Sequence, residues 1–269
     1  MVIREIYMTT KQVARATEQS VAIPTVLDDS LLEVGTGLED TASTDYAIPF
    51  LQILQAGSPQ IKKSEGKYIQ GAEEGDIYNT VSSDLIKSDV GIIVVPCYYQ
   101  KKYIEWKPRD AGGGLIQVHT DREILSQCTR NEKNAFVLEN GNYIAETAQF
   151  YVLVTNEQED IWSQAVVAMT STQLSKSRKW LSQMRQRMVK NSKGESVNAP
   201  TFLFKYNLKT VPEKNDQGSW FGWNIGLNSQ IKNLKLLEES ATFLKLIKAG
   251  EVEVKEQSEE TVDSDQAPF

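Results

Sequence analysis

The chain has 269 residues, 40% of them hydrophobic, with a formal net charge of −7, which is room for one large domain with arms and enough apolar content for a core. It holds no run of about 18 apolar residues, so no membrane-spanning helix is expected, and the start "MVIREIYMTT" has no apolar stretch or small-residue cleavage site that would mark a signal peptide. Its two cysteines, Cys97 and Cys128, are too few for a disulfide framework, and a reducing, cytoplasmic compartment is expected.

Residues 1 to about 45 are mixed polar with scattered acids and few aromatics, and read as a flexible N-terminal arm. Order is expected to begin at "YAIPFLQILQAGSPQI", which Gly57 and Pro59 end. "EGKYIQGAEEGDIYNTV" follows as short strands punctuated by Gly66, Gly71 and Gly75. "VGIIVVPCYYQ", Val90 to Gln100, is β-branched and continuous, the pattern of a buried strand. "AGGGLIQV" is a flexible loop leading into a short strand, and "TDREILSQC" is a short helix capped by Thr120 or Asp121. "NYIAETAQFYVLVTN" and "IWSQAVVAMT" read as strands on either side of the acidic turn Glu157 to Asp160.

A helix is expected from about Thr172 to Val189, with Leu174, Leu181, Met184 and Met188 on one face and basic residues over much of the rest. "NSKGES" breaks it. "PTFLFKYNLKTV" alternates strictly, with Phe202, Phe204, Tyr206 and Leu208 on one side and Lys205, Asn207 and Lys209 on the other, and "SWFGWNIGL" is its hairpin partner. Asn228 to Ala249 reads as an amphipathic helix with Ile231, Leu234, Leu237, Ala241 and Leu244 on its apolar face, and an acidic tail, residues 251–269, begins after Gly250. Strands, a helix, a hairpin and a terminal helix fit a mainly β (α+β) fold. The expectation is an OB-like five-stranded Greek-key barrel over residues 46–250, with additional N-terminal strands, one inserted basic helix and a C-terminal helix. A generic α+β domain fits the same order.

Catalytic chemistry is not legible. His119 is the only histidine, and with Cys97 and Cys128 it makes no zinc-site spacing. "DAGGGLIQ" lacks the Lys-Ser or Lys-Thr that a phosphate loop places after its glycines, and no serine sits in a nucleophile elbow. A non-enzymatic chain without cofactor or metal is expected.

Binding chemistry is legible. Single strands are held by cations that track phosphates and by flat side chains on which bases stack. "CYYQKKYIEWKPR" interleaves both, "KSRKWLSQMRQRMVK" does so around Trp180, and "FLFKYNLK" with "SWFGW" does so again. Phe202, Phe204, Phe221 and Trp223 read as core. Tyr99, Tyr103, Trp106 and Trp220, flanked by charges, read as surface stacking platforms. The expected phosphate contacts are Lys101, Lys102, Lys107, Arg109, Lys176, Lys179, Arg185, Arg187, Lys205 and Lys209. Charge is segregated: Ser171 to Lys214 has ten bases and two acids, a net of +8, while the tail has seven acids and one base, a net of −6. The two segments attract each other and would compete with a polyanion for the same surface.

The ending "DSDQAPF" places Phe269 with the terminal carboxylate behind a run of acids, a short anchor in which a ring enters an apolar pocket and the carboxylate meets a cation. It resembles the ends of bacterial single-stranded DNA-binding proteins, which close on acids followed by Asp-Ile-Pro-Phe, and those of podovirus-type phages, whose acidic tail ends in an aromatic. Asp263, Asp265, Pro268 and Phe269 match, whereas Gln266 and Ala267 depart from the bacterial pattern. "GIIVVPCYYQKKYIEWKPRDAGGG" resembles phage replication proteins that bind single strands. The resemblance implies a phage protein that coats single-stranded DNA in replication and recombination and recruits polymerase or primase-helicase through Asp263, Asp265, Pro268 and Phe269. Two alternatives stand beside it: an acidic interaction or regulatory factor (a transcription coactivator or DNA-mimicking inhibitor), and a strand-annealing recombination protein whose helix from Asn228 serves homo-oligomerisation.

Overall fold

The computed structural model describes residues 37–41, 45–132, 134–216, 218–252 and 254, and of Arg109 the backbone only. The N-terminal arm apart from its last few residues, and the tail with Asp263, Asp265, Pro268 and Phe269, lie outside the described residues. The chain divides into two units, Met1–Thr41 and Ala42–Phe269. Of the first, the described part is a turn closed by bonds from the Thr41 amide and hydroxyl to the Leu38 carbonyl.

The second unit is mainly β. A small sheet is built from β1 (Leu51–Ile53), β2 (Ile77–Asn79) and β3 (Leu85–Ile86). The main sheet contains β4 (Ile92–Trp106), β5 (Leu115–His119), β6 (Thr129–Arg130), β7 (Phe136–Val137), β8 (Tyr143–Thr155), β9 (Trp162–Thr170), β12 (Phe204–Asn215) and β13 (Gly218–Gln230). Between β9 and β12 lie helix α1 (Leu174–Arg185) and a separate hairpin, β10 (Met188–Lys190) with β11 (Ser196–Asn198); helix α2 (Leu234–Ala249) closes the unit. The path β13-β12-β4-β8-β7-β6 is an antiparallel half-barrel. β9 pairs with β8 along its length, and β5 takes the edge of β4 beyond the part that β12 occupies.

β4 is the centre, and Pro96 shapes it. Proline has no N–H to give a ladder, and the register with β8 shifts between Pro96 and Tyr98. This bulge turns the strand over, so that Val94 and Tyr99, five residues apart, both pack in the cluster formed with Phe150, Val167, Met169, Trp180, Tyr206, Leu208 and Trp223. The other face of the sheet carries Val95, Cys97, Tyr151, Leu153 and Val166, which α2 covers with Leu236 and Phe243, both fully buried.

Among the described residues no strand ladder joins β9 to β13; the N-terminal segment and α1 bridge them. Phe50 makes a parallel bridge to Val166, whose amide donates to the Pro49 carbonyl at 2.8 Å. The Gln55 amide group answers both backbone groups of Phe221, each at 2.9 Å, and the Trp223 amide donates to Gln173 Oε1 at 3.0 Å. Two glutamine side chains therefore satisfy backbone groups on β13 that would otherwise be left at an open edge. Gly75 (φ +88°) fits because any Cβ there would lie 2.5 Å from the Phe221 ring.

The structure corrects two expected elements and refines a third. The basic helix is shorter, ending at Arg185, and Met188 and Val189 belong to β10, because residues 191–195 form a tight turn that pairs the flanking segments. Its buried face is Ser177, Trp180 and Met184, with Leu174 and Leu181 at the margin. The C-terminal helix starts at Leu234 rather than Asn228, since β13 continues to Gln230 opposite Phe204 and Asn233 caps the helix by accepting from the Lys235 amide at 2.9 Å. That start rotates the apolar face to Leu236, Ser240 and Phe243, and leaves Leu234 66% exposed. Gly250, at φ +74°, ends α2 in a left-handed cap. "TDREILSQC" forms a 3-10 helix over Arg122–Gln127 with Asp121 as its cap.

Candidate nucleic-acid interface

The far end of the β12–β13 hairpin gathers the clearest group of candidate residues. Glu213 and Trp220 face each other across the ladder, and the indole Nε1 donates to Glu213 Oε2 at 3.0 Å. The second carboxylate oxygen pairs with Lys176 in the first turn of α1. One carboxylate thus holds a half-buried indole and a lysine head in fixed relation, so neither must be ordered again when a ligand arrives. Lys179, one turn further along α1, and Lys214, beside Glu213, are exposed, and no described residue forms an ion pair with either. Arg178 and Arg185 are exposed on the same helix. Glu213 and Lys214 were not singled out by sequence reasoning; the signal for Glu213 was its cross-strand position opposite Trp220, which depends on the hairpin register.

The aromatic run of β4 is placed differently from the expectation. Tyr103 is 4% exposed and Trp106 9%, and both belong to the interior rather than the surface. Tyr99 tilts against Phe150 at a centroid distance of 5.1 Å and packs on the core. The reason is position in the sheet: β4 has neighbours along both edges, so its flanking charges do not mark an exposed strand. Burial pushes the Tyr103 hydroxyl above its ordinary value, against the pull of the nearby Lys101. Of the cations in this run, Lys102 is 7% exposed, Lys101 pairs with Glu146 at 3.3 Å, and Lys107 is exposed. The Arg109 side chain lies outside the described residues.

Lys205 also departs from the expected alternation. A register irregularity between Phe204 and Tyr206 turns it inward, where it is 2% exposed and bound to Glu159 at 2.8 Å. It is a buried structural ion pair and not a surface cation. Lys209 is exposed and donates to the Asp89 carbonyl at 2.6 Å. Arg187 is half-buried, its guanidinium 5.9 Å from the Phe204 ring centroid. The structure therefore brings Lys176 and Trp220 together through Glu213, with Lys179 one turn further along α1, and sets Tyr103, Trp106, Lys102 and Lys205 apart as parts of the packed interior.

Other chemistry-bearing groups are accounted for locally. His119 sits 2.9 Å from Glu105, whose other oxygen accepts from Asn142 at 2.6 Å. Burial opposes the charge on Glu105, yet these bonds outweigh it and hold the carboxyl below its ordinary value. Cys97 and Cys128 are free thiols; burial pushes Cys97 up to about 12 and raises Cys128. Among the described residues no helix is long and apolar enough to cross a membrane.

The fold and this cluster define a β-rich half-barrel protein with a cationic, indole-bearing rim. The chain belongs to the Pam3 phage gp34-like protein family, whose family model matches residues 16–253. No curated protein and no solved structure matches it.

Proposed function

We propose that this phage-family protein binds single-stranded DNA without strong sequence preference during replication and recombination. The observation that carries the proposal is the group at the hairpin end, an indole fixed through Glu213 to Lys176, with the exposed Lys179 one turn further along α1 and the exposed Lys214 on the same hairpin end. Such a site offers one stacking surface and several phosphate contacts, and asks nothing of the base sequence. The strand order supports it. Numbered among the five long strands alone, the order is third-second-first-fourth-fifth, with a helix between the third and fourth. An OB-type barrel opened between its third and fifth strands would have this order, and such barrels bind oligonucleotides. Since α2 covers the second face of the sheet, the DNA path runs over the hairpin end and α1. The acidic tail, with Asp263, Asp265, Pro268 and Phe269, is the proposed docking peptide for replication proteins.

The test is a titration of oligo-dT at several salt concentrations, with unfolding curves as a control. Wild-type protein binds with an affinity that falls steeply with salt, as counterions leave the phosphates. Trp220→Ala weakens binding by about 5- to 150-fold, the worth of one stacked base. If that variant is unstable, Lys179→Gln/Lys214→Gln serves instead, and lowers the slope of log K against log salt by about 1.4. Absence of wild-type binding at low salt overturns the proposal. A chain ending at Gly250 is expected to bind more tightly than the full chain, because the tail's net −6 no longer competes for the basic surface.

A further inference from the structure

The hairpin β10–β11 pairs with no other described strand. A lone two-stranded hairpin is marginal in water, yet this one has a closely built tip. Asn191 accepts from the amides of Lys193 and Glu195 at 2.9 and 3.0 Å, and its own amide nitrogen donates to Glu195 Oε2 at 2.8 Å. Its backbone amide donates to the Glu195 carbonyl, and Gly194 takes the left-handed conformation (φ +78°) that the turn needs. The root is held by the Ala199 amide on the Arg187 carbonyl at 2.8 Å.

Its charge is positive on balance, two lysines against one glutamate. Glu195 is the one acid in the segment, and its carboxylate is occupied inside the turn. Lys190 and Lys193 are exposed, as is Arg185 at the end of α1, and none of the three forms an ion pair with a described residue. Met188, 52% exposed, alternates with Lys190 and so shares its face, while Val197 is 38% exposed on the other. A face with a soft apolar side chain beside a cation suits a chain of bases and phosphates.

We propose that the β10–β11 hairpin is an arm that extends the single-strand contact beyond the Trp220 group. This rests on the function proposed above. The test uses full-length protein and an oligo-dT of about 30 nucleotides, longer than the roughly 4–16 that one such fold covers. Lys190→Gln/Lys193→Gln lowers the slope of log K against log salt by about 1.4, two phosphate contacts' worth. Lys245→Gln/Lys248→Gln, two exposed lysines on α2, leaves the slope unchanged. If wild type binds and the arm variant keeps the wild-type slope, or if both variants lose equally, the arm inference fails and the parent function stands. If wild type does not bind at all, the parent function fails first. Both charge changes are at exposed positions, and matching unfolding midpoints show that the fold is intact.

Discussion

Replacing Glu159 with Gln lowers stability by about 3–5 kcal/mol, the cost of leaving one partner of a buried ion pair alone. Glu159 is 3% exposed and Lys205 2%, with 2.8 Å between their charged atoms. The other carboxylate oxygen accepts the backbone amides of Lys232 and Asn233 at 2.8 and 2.7 Å, directly before α2, and Asn233 returns a bond to the Glu159 carbonyl at 2.6 Å. One side chain thus neutralises a buried lysine, satisfies amides at the start of a helix and meets the positive end of its dipole. It ties the β8–β9 turn to β12 and α2. In Glu159→Gln the Lys205 charge stays buried without its counter-charge. Adding Lys205→Met recovers most of the loss, because the remaining cost is that of two neutral groups. Urea unfolding of wild type and the two variants measures this; a double variant as unstable as the single one would place the energy in the backbone bonds instead.

The same residue predicts a pH dependence. Burial opposes its charge, but the bonds from Lys205 and from the Asn233 and Lys232 amides prevail and hold the carboxyl below the ordinary value of 4.5. A carboxylate whose folded value is depressed contributes stability that is fully present above its unfolded value. That contribution is lost as pH falls below about 4.5 towards the folded value. Wild-type stability therefore declines on acidification through this window, and Glu159→Gln declines less steeply. Parallel curves for the two proteins would remove Glu159 from the acid response and leave it to Glu105, which is depressed in the same direction.

Trp180→Ala costs about 3–5 kcal/mol through the cavity it leaves. The indole is fully buried, 4.3 Å from the Phe150 ring centroid and 5.6 Å from that of Tyr206, and it fastens α1 to β8 and β12 at once. Its Nε1 has no hydrogen-bond partner among the described residues, so Trp180→Phe gives up volume without giving up a bond and costs less. The order expected in thermal unfolding is wild type, then Phe, then Ala. Near-wild-type stability of the Ala variant would mean that α1 is held by its margins, Leu174 and Leu181, rather than by this ring.

Local physics made much of the fold legible. The β-branched run before Pro96, the acidic turn between two long apolar segments, the amphipathic basic helix and the glycine at position 250 each carry their own signal, since propensity, turn chemistry and capping act over a few residues. So did the segregation of charge, because counting needs no geometry. The candidate site was legible in its residue types but only partly in its members. Trp220, Lys176 and Lys179 are named from the sequence; Glu213, which joins the first two, is not, and Tyr103, Trp106, Lys102 and Lys205, expected at the surface, are buried. Alternation tells which residues share a face of a strand, but not whether that face is covered, and a single bulge reverses it: one beside Pro96 and another beside Lys205 did so here. Whether β4 was a rim or a centre was decided by β8, β12 and β5, strands from other parts of the chain. By itself the sequence determined the kinds of element, their order and where the charges lie along the chain. Only the tertiary structure decided which aromatic rings became core and which cation was given a buried counter-charge, because burial is set by non-local neighbours.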